Sequence, residues 1–137
     1  MRLWRATLLL LLPLLGFTSH IHWLGNYDKA LQEAIATHKP LLVLVVDKSQ
    51  KSNTVIQKQL MNQPYIADMN THFVSVIVTY EGVESYPIEM YYTRVFPTLF
   101  FVDSRREIFL RKPLYGAEIT VDSLAKIIRN LGIIPKK

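Results

Sequence analysis

No cysteine occurs anywhere in the 137 residues, so no disulfide, thiolate nucleophile or cysteine-ligated metal can form. Long runs of like charge are also missing, and the basic residues are scattered apart from Arg105-Arg106 and Lys136-Lys137. Nucleic-acid binding, which asks for a clustered basic stripe, is therefore not expected. The sequence has no internal repeat, no low-complexity stretch and no linker. Its longest apolar run, Ala6 to Phe17, is interrupted only by Pro13 and falls short of the roughly 20 residues a spanning helix needs. The four histidines, His20, His22, His38 and His72, show no metal-ligand spacing on an expected helix. Neither metal nor cofactor is expected.

Half of the chain is hydrophobic and a fifth is charged, which is the profile of a folded domain rather than a disordered one. The basic start Met1-Arg2-Leu3-Trp4-Arg5, followed by the Ala6–Phe17 run, is a secretory pattern. Residues 1–19 are expected to be a signal peptide or an uncleaved membrane anchor, and residues 20–137 one exported domain. Gly16, Thr18 and Ser19 offer small residues for cleavage, although Phe17 interrupts the small-x-small pattern. Without Arg2 and Arg5 the net charge falls from +5 to +3. About 115 residues with no disulfide must be held by their core alone.

Hydrophobic periodicity gives the element order. Tyr27, Ala30, Leu31, Ala34 and Ile35 predict a helix over 26–37, stopped before Pro40. The unbroken Leu41-Leu42-Val43-Leu44-Val45-Val46 predicts a strand buried on both faces. A helix is expected over 52–61 and a second segment over 65–70, with Pro64 at its first position. Strands are expected over 73–79, 98–102 and 108–110, a short helix over 88–94, and polar irregular chain over 81–87. Asp103-Ser104-Arg105-Arg106 has turn chemistry. A last helix over 121–131 takes Thr120 as its cap and Gly132 as its stop. The sum is a layered α/β domain with a mixed four-stranded sheet.

Tyr91-Tyr92-Thr93-Arg94-Val95-Phe96-Pro97-Thr98-Leu99, followed by an apolar strand, resembles the thioredoxin pattern Y-x-x-R-x-x-P-T-L. The order of elements around it, over roughly residues 24 to 132, is similar to that family as well, most of all to its bacterial envelope branch. The resemblance implies a thioredoxin-like three-layer fold, a cis Pro97 and a location in the periplasm or cell envelope. It places the family's Cys-x-x-Cys on Ser49-Gln50-Lys51-Ser52. Each sulfur position holds a serine, and an exchange cycle needs two sulfurs. The acid that many relatives bury on the preceding strand has no counterpart in Leu41–Val46.

Ser49 and Ser52 then have two open readings, as ordinary helix-capping serines or as remnants of a redox pair. A serine hydrolase is disfavoured, since neither serine sits in a glycine-flanked elbow and no partner histidine is evident. The expected site is the catalytic-pair positions Ser49 and Ser52 with Pro97, and a groove of Phe96, Pro97 and Thr98 that binds polypeptide. Tyr80, Tyr86, Tyr91, Tyr92 and Phe96 crowd this segment, and an exposed subset of them would add apolar surface. The expected function is a redox-inactive, polypeptide-binding protein of the envelope, touching membrane only through residues 1–19. The alternative is a thiol–disulfide oxidoreductase whose cysteines at 49 and 52 have been replaced.

Overall fold

Leu41–Val46 (β2) forms the centre of the sheet in the computed structural model, which describes residues 21–49 and 66–131. All six residues are buried, as an unbroken valine–leucine run requires when helices cover both faces. Leu42, Leu44 and Val46 point into one layer and Leu41, Val43 and Val45 into the other.

Around β2 lie Trp23–Leu24 (β1), Val74–Thr79 (β3), Thr98–Asp103 (β4), Ile108–Phe109 (β5) and Leu114–Tyr115 (β6). The order across the sheet is β1-β3-β2-β4-β5, with β6 also pairing β4. β1 and β2 run parallel to β3, and β4 runs antiparallel to β2, β5 and β6. The sheet is mixed, as expected, but has six strands rather than four. β1 and β6 contribute two residues each, too few to show a period-2 alternation in sequence.

Tyr27–Ala36 (α1) covers one face. The Asn26 side chain accepts the Lys29 N–H at 2.9 Å and caps the helix. Ala30 and Ala34 have no exposed surface, so the helix backbone lies close to the sheet. At its far end Lys39 N–H donates to Ala34 C=O and His38 N–H to Ile35 C=O, with His38 left-handed at φ 55°. That is a Schellman ending built without glycine.

Ile66–His72 (α2) and Val121–Asn130 (α3) lie on the other face. α2 ends two residues beyond the expected boundary. α3 starts where expected, with the Thr120 hydroxyl accepting the Ser123 N–H at 3.1 Å. Leu124, Ile127 and Ile128 form its buried stripe. The helix expected over 52–61, the stop at Gly132 and the leader lie outside the described residues. No described helix is long and apolar enough to cross a membrane.

The short helix expected over 88–94 does not form; residues 88–91 make a single turn. Thr93 is the cause. Its hydroxyl accepts the Val95 N–H at 3.1 Å and lies 3.0 Å from the Val95 C=O, a local pairing that competes with helical bonding. The expected turn after β4 is present, and the Asp103 carboxylate accepts the N–H groups of Arg105 and Arg106 at 3.0 and 3.1 Å.

One polar atom inside the sheet has no partner. The Ser75 hydroxyl, on β3 between Trp23 and Leu42 in register, is buried and unpaired among the described residues. An unsatisfied buried hydroxyl costs about 1–3 kcal/mol. Ser75→Ala is therefore expected to raise stability by roughly 1 kcal/mol in urea unfolding. A loss of that size would show that the hydroxyl has a partner.

Candidate functional site

β2 and β3 are parallel and β4 is antiparallel to them, so one pole of the sheet gathers the residues after β2, those after β3 and those before β4. In open α/β sheets ligands bind beyond the carboxyl ends of parallel strands. Asp47, Ser49, Tyr80, Phe96 and Pro97 all belong to this pole. Tyr80 N–H donates to Val46 C=O at 2.8 Å, and the Tyr80 and Phe96 rings meet with centroids 5.3 Å apart.

The Phe96–Pro97 bond is cis. Pro97 is buried, and its C=O accepts the Gly116 N–H at 2.8 Å. Gly116 sits at φ 51°, a conformation that side chains resist, and this fixes the Tyr115-Gly116 bend against the start of β4. Thr98 has no exposed surface. Its hydroxyl reaches the Val95 C=O at 2.6 Å and the Thr93 hydroxyl at 3.0 Å. Thr98 thus supports the 93–97 segment from behind, and Phe96 is the part of the expected groove that reaches the surface. Thr93 completes this staple and was not singled out from sequence. The only signal was a pair of threonines flanking the Arg94–Pro97 stretch.

Phe96 is distinctive in a second way. Thr93 and Thr98 occupy the Val95 groups and Gly116 occupies Pro97, yet neither the N–H nor the C=O of Phe96 is hydrogen-bonded among the described residues. Exposed apolar side chains lie along the same loop: Val95 at 46% exposure, Tyr92 at 60%, Ile88 at 57% and Val83 at 98%.

Below the loop, Tyr91 is buried. Its hydroxyl lies 2.8 Å from that of Tyr27, which donates onward to Glu107 at 3.4 Å. Its ring meets Tyr27, Phe100 and Phe109 at 5.5, 5.2 and 6.2 Å. This anchor holds Tyr91 inward while its neighbour Tyr92 stands outside, where the Arg94 guanidinium donates to its hydroxyl at 3.3 Å.

Ser49 is exposed on the turn after β2. Its hydroxyl and its N–H both donate to the Asp47 carboxylate, at 2.9 and 3.0 Å. Ser52 and the helix that Ser49 would cap lie outside the described residues. His22, His38 and His72 precede β1, β2 and β3, which puts them at the opposite pole. No described histidine can therefore activate Ser49. A cavity of about 420 Å³ also lies at that opposite end, lined by His38, Lys39, Ser104, Arg105 and Leu131 among others. The buried Ser104 hydroxyl is spent on the Lys39 C=O at 2.8 Å.

No family model matches the chain, and no curated protein sequence does. Solved structures match it well. It is similar to a structure titled DsbH oxidoreductase at 18% identity and a TM-score of 0.60, over 84% of this chain and 87% of that one. A thioredoxin from Thermus thermophilus matches at 16% identity and 0.63, over 79% and 85%. A disulphide isomerase from Xylella fastidiosa Temecula1 matches at 23% and 0.53, over 77% and 81%. The fold is thioredoxin-like. With no cysteine in it, the chain cannot carry out thiol–disulfide exchange.

Proposed function

We propose that this chain is a non-catalytic binding module, exported to the periplasm or cell envelope, that holds extended polypeptide at the pole around Phe96. One observation carries the reading: the N–H and C=O of Phe96, unpaired among the described residues and set among exposed apolar side chains on a stapled loop. An extended chain laid beside Phe96 would accept its N–H and donate to its C=O, the strand-addition mode of recognition. Tyr92, Val95 and Ile88 would cover alternate side chains of the guest. None of this needs a thiol. The secretory pattern of residues 1–19 supports the location.

Binding of a fluorescein-labelled extended peptide with a Val-Leu-Val centre, read by anisotropy, tests it. Tyr92→Ala/Val95→Ala truncates two exposed side chains and leaves the staple in place. It is expected to weaken binding about tenfold, in line with the loss of an apolar anchor at a contact surface. Unchanged affinity in the folded variant would move the site elsewhere. Recovery of the protein in the cytoplasmic fraction of its host would reject the location.

The second reading is the oxidoreductase whose two cysteines became serine. Ser49 favours it, standing on the turn after β2 at the pole that also carries cis Pro97. Insulin reduction by dithiothreitol separates the readings. The serine protein should match the control without protein, and any acceleration would overturn the non-catalytic reading. Acceleration by Ser49→Cys/Ser52→Cys would show a scaffold still competent for exchange.

A further inference from the structure

The cavity of about 420 Å³ at the opposite pole lies between the α1–β2 corner and the turn after β4, beside the end of α3. Its volume falls in the roughly 300–1,000 Å³ range of small-molecule sites. One hydrogen bond ties its walls together: the buried Ser104 hydroxyl donates to the Lys39 C=O at 2.8 Å. Pro40, Leu110 and Leu131 supply apolar lining, and His38, Lys39 and Arg105 supply donors. His38 is held there against the preference of its backbone. Its φ of 55° suits glycine at a helix end, yet an imidazole occupies the position and meets the Arg105 guanidinium. Arginine can only donate, so Nδ1 accepts, and the Nε2–H remains as a further donor.

Neither Lys39 nor Arg105 makes an ion pair among the described residues. Asp103 is the acid of the lining, and its carboxylate already accepts the N–H groups of Arg105 and Arg106. Glu107, further along the turn, accepts the Tyr27 hydroxyl instead. Two cations thus stand against one carboxylate, an excess of a single positive charge beside apolar walls. The main-chain N–H and C=O of Lys39 are spent on Ala34 and Ser104, and the Pro40 C=O accepts the Val74 N–H. The cavity therefore offers side-chain donors rather than groups for pairing an extended chain. The geometry points to a binding site for a small organic carboxylate, a monoanion with a compact apolar body. The Arg105 fork matches a carboxylate, Lys39 and the His38 Nε2–H add donors, and Pro40, Leu110 and Leu131 cover the apolar body. An amine of the same shape would set like charges against each other. This site is separate from the Phe96 pole and stands whether or not that pole binds polypeptide.

Hydrocinnamate, hydrocinnamamide and phenylpropylamine, titrated into the isotope-labelled full-length protein and followed by amide chemical shifts, test the inference. The carboxylate is expected to bind about tenfold tighter than the amide, the size of one charge-assisted hydrogen bond. It should shift the amides of Lys39, Ser104 and Arg105 rather than those of Tyr92 to Phe96. The amine should not bind. Lys39→Gln/Arg105→Gln leaves the main-chain bonds of both residues in place and should bring carboxylate and amide to the same affinity. His38→Gly relieves the left-handed backbone, so the variant should keep its unfolding midpoint while binding the carboxylate more weakly. Equal binding of carboxylate and amide by the unchanged protein overturns the inference, as do shifts confined to the Phe96 pole or tighter binding of inorganic phosphate. Full carboxylate affinity in either folded variant overturns it as well.

Discussion

Phe101→Ala is expected to remove about 3–5 kcal/mol of folding stability, the range for a large aromatic deleted from a packed core. Phe101 has no exposed surface and pairs with Leu42 across the centre of the sheet. Its ring meets Phe73 edge-on at 6.3 Å, and the Arg111 guanidinium lies 5.8 Å from its centroid. No disulfide shares the load, and domains of this kind hold only about 5–15 kcal/mol in all. Ile108→Ala, on the edge strand at 49% exposure, should stay within about 0.5 kcal/mol of the unchanged protein. Urea unfolding of both variants gives the comparison. Equal costs would mean that the β4 register is wrong, because a shift of one residue would turn Phe101 out of its layer.

Alkali should produce the second large effect. Burial, above all, pushes the Tyr91 hydroxyl far above its ordinary value; its bond to Tyr27 adds to this, and so do the charges of Tyr27 and Glu107. Tyr27 is raised as well, chiefly by burial, with Glu107 reinforcing it and the Tyr91 bond opposing it. In the unfolded chain both titrate near pH 10. Above that pH the unfolded chain releases protons that the folded protein keeps, so stability falls as pH rises. Below it the contribution is complete. The stability profile should show no loss from this pair up to about pH 10, then drop by about 1.4 kcal/mol per pH unit for Tyr91, with Tyr27 adding to the fall just above pH 10. Tyr27→Phe/Tyr91→Phe removes both hydroxyls together, leaves no orphaned partner between them, and should abolish this part of the slope. Chemical unfolding at several pH values between 8 and 12 measures it. Identical slopes in the two proteins would place the pair in contact with water.

The same pair shows where the sequence stops being informative. Tyr91 and Tyr92 are adjacent and chemically identical, and no local pattern says which is buried. The choice is made by Tyr27 on α1 and by Phe100 and Phe109 on the sheet, all brought to Tyr91 by the fold. Thr93 is similar. Its role depends on Thr98, whose position is fixed by pairing with Val45 on β2. The strands β1 and β6 were missed because two residues carry no periodicity. The false helix over 88–94 arose because spacing suggested one, while a threonine hydroxyl diverted the backbone bonds. By contrast, Leu41–Val46 and the stripe of α3 were legible from start to finish. Each is a local pattern long enough to declare which faces it buries.

By itself, then, the sequence determined that this protein performs no thiol chemistry, since exchange requires sulfur whatever the geometry. It also determined the succession of the long elements, because periodicity in strands and helices is a local property. Only the tertiary structure decided that Ser49 gives its hydroxyl to Asp47, that the described histidines stand at the far pole, and that Phe96 keeps two backbone groups unpaired among the described residues. Each of these rests on groups carried by different strands and loops. Sheet pairing, driven by burial of β2 on both faces, sets the poles of the domain and so decides which groups can meet.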